Sequence, residues 1–88
     1  MPPQRRAKPR SPDHAALGQA VEELRREAGM TQEELADRMN SEFPPLGKLE
    51  RGVSNPTFSS LLRAADGLGV SLGELIKRFE QNRSAGSG

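Results

Sequence analysis

Eighty-eight residues without a cysteine make one small domain with no disulfide framework, no thiolate metal site and no thiol nucleophile. With 33% apolar and 28% charged residues, no apolar run nears the ~20 residues of a membrane span and no secretory signal follows the basic start, so a cytoplasmic protein is the default. The net charge of +1 hides a segregation, because residues 1–12 carry Arg5, Arg6, Lys8 and Arg10 and no acid, while the other 76 residues hold nine bases and twelve acids.

Residues 1–12, MPPQRRAKPRSP, contain four prolines and no apolar periodicity, so they read as a flexible basic arm. A folded domain over residues 13–82 follows, and residues 83–88 read as a flexible tail. The first helix opens at Ser11-Pro12, a hydroxyl cap followed by proline in the first turn. Leu17, Ala20, Val21, Leu24 and Ala28 form its stripe, and Gly29 stops it. The second helix opens on Thr31-Gln32-Glu33-Glu34, a capping box, buries Leu35, Ala36 and Met39, and gives way at Asn40 to a left-handed turn. The third spans about Glu42 to Arg51 and ends at Gly52. The fourth follows the cap Thr57 with a stripe of Phe58, Leu61, Leu62 and Ala65. The fifth opens on a second capping box, Ser71 to Glu74, and carries Leu72, Leu75, Ile76 and Phe79. No stretch alternates as a strand does, so the fold class is all-α, a bundle of five short helices.

Enzymatic chemistry finds no foothold. There is no phosphate-binding glycine loop, no HExxH and no Ser/His/Asp set on a suitable scaffold. The single histidine, His14, has no second imidazole or carboxylate cluster at ligand spacing and reads as surface. No catalytic residue, metal or cofactor is expected.

The stretches LGQAVEELRREAGMTQEELADRM and KLERGVSNPTFSSLLRAADGLGVSLGELI, with the ungapped spacing between them, resemble the lambda-repressor-like, Cro/cI-type (Xre) helix-turn-helix domain over about 60 residues, Gly18 to Phe79. The resemblance implies a five-helix lambda-repressor-like bundle that binds double-stranded DNA as a transcriptional regulator, a repressor first of all. Helix two would cross the DNA backbone and helix three would enter the major groove. Thr31 and Gln32 match a phosphate-contacting helix start, where free N–H groups favour an anion. Arg51, Ser54, Asn55 and Thr57 match further backbone contacts. Arg25 and Glu50 match an ion pair joining helix one to the end of helix three. In such proteins a basic arm can wrap the duplex, a role Arg5, Arg6, Lys8 and Arg10 suit. Glu33 and Asp37 match acidic positions by which some members touch RNA polymerase, and a solvated acidic face is the simpler reading.

Helix three departs from the family. With Leu46 and Leu49 inward, Pro44, Gly47, Lys48 and Arg51 share the outer face, and Phe43 stands near the tip. Phe43, Pro44 and Pro45 replace the usual hydrogen-bonding readers. Lys48 is left as the donor for a guanine, and Phe43 as a contact for a thymine methyl. Two readings follow: a DNA-binding regulator leaning on backbone contacts and DNA shape, or a protein-interaction module, antitoxin-like or adaptor, using the Phe43-Pro44-Pro45 tip of helix 42–51. A homodimer is expected in the first case, with Leu72, Leu75, Ile76 and Phe79 of helix five as the dimer contacts.

Overall fold

The computed structural model describes residues 8–40 and 43–86. Five helices follow in order: α1 (Pro12–Glu27), α2 (Gln32–Arg38), α3 (Phe43–Glu50), α4 (Phe58–Leu68) and α5 (Leu72–Gly86). There is no strand among the described residues. All four inter-helix connections are no longer than seven residues, and four of the five helices start on a local side-chain cap. Ser11 Oγ accepts the His14 N–H at 3.1 Å, with Pro12 in the first turn where no N–H is needed. At α2 the capping box is reciprocal: Glu34 N–H donates to Thr31 Oγ1 at 3.1 Å and Thr31 N–H to Glu34 Oε1 at 2.9 Å. Thr57 caps α4 through the Ser60 N–H. Ser71 and Glu74 repeat the box at α5, with bonds of 3.0 and 3.4 Å. Asn40 takes the left-handed turn after α2, at φ 52°.

The helices pack with α1 in the middle. It lies against α5, α3 and α4, while α2 packs on α3 and α4, and α4 on α5. Between them sits one core: Ala20 and Val21 from α1, Leu35, Ala36 and Met39 around α2, Leu46 and Leu49 from α3, Ala64, Ala65 and Leu68 from α4, and Leu75 from α5. Leu35, Leu46 and Leu75 are fully enclosed, each burial stabilising the fold by roughly 1.5–3 kcal/mol.

Four expectations are corrected by this packing. The buried face of α4 is Ala64, Ala65, Gly67 and Leu68, so Phe58 and Leu62 stand outside the core at 66% and 37% exposure. Ala28 is the exposed C-cap of α1, and Ala16, Gly18 and Arg25 take buried places on that helix instead. Helix α5 does not stop at 82. Asn82 Nδ2 donates to the Ala16 carbonyl at 3.3 Å, and Arg83 Nε pairs with Asp13 Oδ1 at 3.0 Å, which ties the last turns back to α1. Finally, Leu75 belongs to the core at 0% exposure and cannot face a second copy; Leu72, Ile76 and Phe79 remain half-buried at the edge.

Candidate nucleic-acid interface

Two glycines let α1 and the C-terminal end of α3 touch backbone to backbone. A Cβ at Gly18 would collide with the carbonyl oxygens of Leu49 and Glu50. Gly52, at φ 74°, turns the chain out of α3, and a Cβ there would come within 2.9 Å of the Ala15 backbone. Only glycine tolerates both the left-handed turn and the approach. The turn leaves the Gly52 carbonyl free to accept the Arg10 N–H at 2.8 Å, which anchors the end of the basic arm to the end of α3.

A buried ion pair fixes the same junction. Arg25 Nε donates to Glu50 Oε2 at 2.7 Å and Nη2 to Oε1 at 3.1 Å, with the two side chains only 9% and 3% exposed. Arg25 Nη1 donates to the Met30 carbonyl at 2.8 Å, and Glu50 Oε1 also accepts Gln32 Nε2 at 2.8 Å. The hydrogen bond to Glu50 holds the Arg25 guanidinium above its ordinary value against the opposing effect of burial. The pair is bidentate and its remaining groups are satisfied, as a buried charge requires. Helix α3 is therefore held from behind by α1 and from the side by the first residue of α2.

On the outer side of α3, Lys48 and Arg51 are exposed and form no ion pair among the described residues. Lys48 shares a groove between α3 and α4 with Ser54, Asn55, Thr57 and Ser60. Thr31 is exposed at the start of α2, and Gln32 is half-buried, its amide committed to Glu50. Gly47 is not on the outer surface: it is buried, and a Cβ there would meet Arg51 Nη1 at 3.3 Å, because the Arg51 side chain folds back over it. Lys8 and Arg10 are exposed beside this end of the molecule. Arg5 and Arg6 lie outside the described residues, as do the side chains of Phe43 and Pro44.

One polar connection has no local sequence signature. His14 is half-buried, with Nδ1 2.6 Å from Ser11 Oγ and Nε2 3.0 Å from Asn55 Oδ1, a partner 41 residues away. Helical spacing around His14 says nothing of a loop on the far side of α3.

Two short helices, the second clamped at its C-terminal end with its cations facing outward, define a helix-turn-helix module. A helix-turn-helix family pattern matches residues 21–75. The chain is 45% identical over 60 residues to an uncharacterised HTH-type transcriptional regulator, y4dJ, of Sinorhizobium fredii, a match covering 68% of this chain and 78% of that protein. Among solved structures it is similar to the clp gene regulator ClgR of Corynebacterium glutamicum, with a TM-score of 0.81 and 25% identity over 85% of this chain and 80% of that one. The restriction-modification controller protein C.AhdI of Aeromonas hydrophila matches with a TM-score of 0.72 and 32% identity, over 74% of this chain and 98% of that one. The chain belongs to the helix-turn-helix family of DNA-binding transcriptional regulators. No helix among the described residues is long and apolar enough to cross a membrane.

Proposed function

We propose that the chain is a repressor that binds double-stranded DNA as a homodimer, with α3 in the major groove. Lys48 reads a base edge, most simply guanine. Arg51, Ser54, Asn55 and Thr57 on one side of α3, and Thr31 with the spare amide hydrogen of Gln32 on the other, hold phosphates and set the register. The basic arm leaves the body at Gly52 and follows the backbone. The observation that carries this reading is the exposed, ion-pair-free Lys48 and Arg51 on a helix whose rear is locked by Arg25 and Glu50.

A second copy covers the apolar surface of α4 and α5, where Phe58 and Leu62 are exposed and Ile76 and Phe79 half-buried. Two modules facing two-fold related half-sites is the arrangement that lets so small a reader cover an operator. The test is selection of bound duplexes from a random library at physiological salt, followed by placing the enriched site over a reporter promoter. Enrichment of a two-fold symmetric motif and a fall in reporter output support the proposal. A folded protein that enriches nothing refutes it and favours protein docking through the 43–45 tip. An enriched single half-site refutes the dimer.

A further inference from the structure

Asn55 lies on the exposed loop after α3, and its side chain is not free to turn. Its Oδ1 sits 3.0 Å from His14 Nε2, and the other ring nitrogen sits 2.6 Å from Ser11 Oγ. Ser11 is the N-cap of α1, and its oxygen already accepts the His14 backbone N–H at 3.1 Å. The oxygen keeps a second lone pair, so Ser11 alone lets Nδ1 donate or accept; Asn55 Oδ1, which can only accept, decides it, because the ring nitrogen facing it must carry a hydrogen. Nε2 therefore donates to Asn55 Oδ1, and in the neutral ring Nδ1 is left to accept the single Ser11 hydroxyl hydrogen. The carboxamide is then oriented: its oxygen faces the ring and its NH2 faces away, toward solvent on the exposed loop. An outward NH2 donates to a phosphate oxygen, whereas an outward carbonyl would repel it.

We infer that His14 is a positioning residue for DNA binding, which orients the Asn55 side chain so that its NH2 donates to the DNA backbone. The chain of donors runs from Ser11 Oγ to His14 Nδ1, from His14 Nε2 to Asn55 Oδ1, and from Asn55 Nδ2 to phosphate. Its consequence is that part of the interface is organised by the cap of α1, an element that itself makes no base contact. The inference rests on the proposed phosphate contact of Asn55 and adds to it the group that sets which end of the amide faces out. The contact is sequence-independent, so a labelled duplex of mixed sequence serves as the probe.

Affinity is measured for the wild type, Asn55→Ala, His14→Ala, His14→Gln and the Asn55→Ala/His14→Ala double variant, with the thermal midpoint of each. Expected is a loss of about three- to tenfold for His14→Ala, the worth of one hydrogen bond. A similar loss is expected for Asn55→Ala, with no further loss in the double variant. His14→Gln, whose amide N–H reaches about as far as ring Nε2, restores affinity to within about twofold on the same scale. Wild-type affinity in a folded His14→Ala protein, with Asn55→Ala still weakened, overturns the role of His14 and leaves the phosphate contact standing. Wild-type affinity in Asn55→Ala overturns the phosphate contact and the inference with it. A two-bond proton–nitrogen correlation spectrum of the free protein tests the relay without any variant: a neutral His14 ring protonated at Nε2 supports it, and the Nδ1 tautomer overturns it.

Discussion

Replacing Glu50 by Gln changes one oxygen into an NH2 and leaves the volume alone, so no cavity confuses the result. In the wild type three N–H donors converge on the Glu50 carboxylate: Arg25 Nε and Nη2, and Gln32 Nε2. In the variant they face a single carbonyl oxygen and an opposed donor. Arg25, 9% exposed at its side chain, keeps its charge with the Met30 carbonyl and at most one amide oxygen left to accept from it. Removing one partner of a buried pair costs about 3 kcal/mol or more, a large share of the roughly 5–15 kcal/mol that stabilises a domain. At about 4–8 °C per kcal/mol for a domain of this size, the thermal midpoint falls by roughly 12–24 °C, measurable by far-UV circular dichroism. DNA affinity, measured well below that midpoint, also falls, because the end of α3 loses its clamp. The control is Arg25→Met/Glu50→Leu, which removes both charges and recovers most of the midpoint. A Glu50→Gln protein that melts with the wild type refutes the reasoning, as does a double variant that melts no higher than the single.

Gly18→Ala drives a methyl into the Leu49 and Glu50 carbonyls, which are backbone and cannot swing aside; urea denaturation is expected to show a loss of about 1–3 kcal/mol. The Arg78 guanidinium holds the exposed Glu27 carboxyl below its ordinary 4.5, and the Thr31 N–H does the same for Glu34. A depressed carboxyl stabilises the fold above its unfolded value and loses that contribution as pH falls through the folded one. The thermal midpoint should therefore drop as pH is lowered below 4.5, and Arg78→Met combined with Glu34→Gln should flatten that dependence. Deleting residues 1–10 should reduce the slope of log affinity against log salt by about 0.9 for each arm cation that meets a phosphate; an unchanged slope removes the arm from the interface. Lys48→Ala should relax the preference for guanine at one position of the selected motif by about 1–3 kcal/mol, while Arg51→Ala weakens binding to all sequences alike.

What the sequence made legible was local. Thr31 with Glu34, Ser71 with Glu74, Asn40 and Gly52 each announce a helix end within a few residues, and the structure has those ends there. The rotation of α4 was not legible, because Phe58, Leu61, Leu62 and Ala65 satisfy helical spacing as well as Leu61, Ala64, Ala65 and Leu68 do. Packing against α2 chose the second set. The end of α5 was hidden for a related reason: a composition of Ser, Ala and Gly reads as loose chain, and its order comes from Asn82 and Arg83 reaching α1. Spacing put Gly47 outward, but a side chain four residues on covers it. The contact between His14 and Asn55 crosses 41 residues and follows no period at all. In the candidate site, then, the cations of α3 could be read from spacing, while the groups that aim and hold them could not.

The acidic body looks at first like a poor match for a polyanion, and the placement of its charges resolves this. Asp13, Glu22, Glu23, Glu27 and Glu80 are paired with Arg26, Arg78 and Arg83 on α1 and α5. Glu50 is neutralised inside by Arg25, and Glu34 and Glu74 serve as helix caps. Helix α5 packs on α1 and α4, whereas α3 packs on α1 and α2, so five of the twelve acids are held in ion pairs along α1 and α5 and none of those pairs involves α3. Lys48 of α3 and Arg51 just beyond it, with Lys8 and Arg10 of the arm, have no ion-pair partner among the described residues, as is true of Arg38, Arg63 and Lys77 on the other helices. A phosphate placed beside Lys48 and Arg51, as proposed, would lie within a Debye length of about 8 Å at physiological salt of cations that no carboxylate pairs, so the net charge of +1 would understate the local field there.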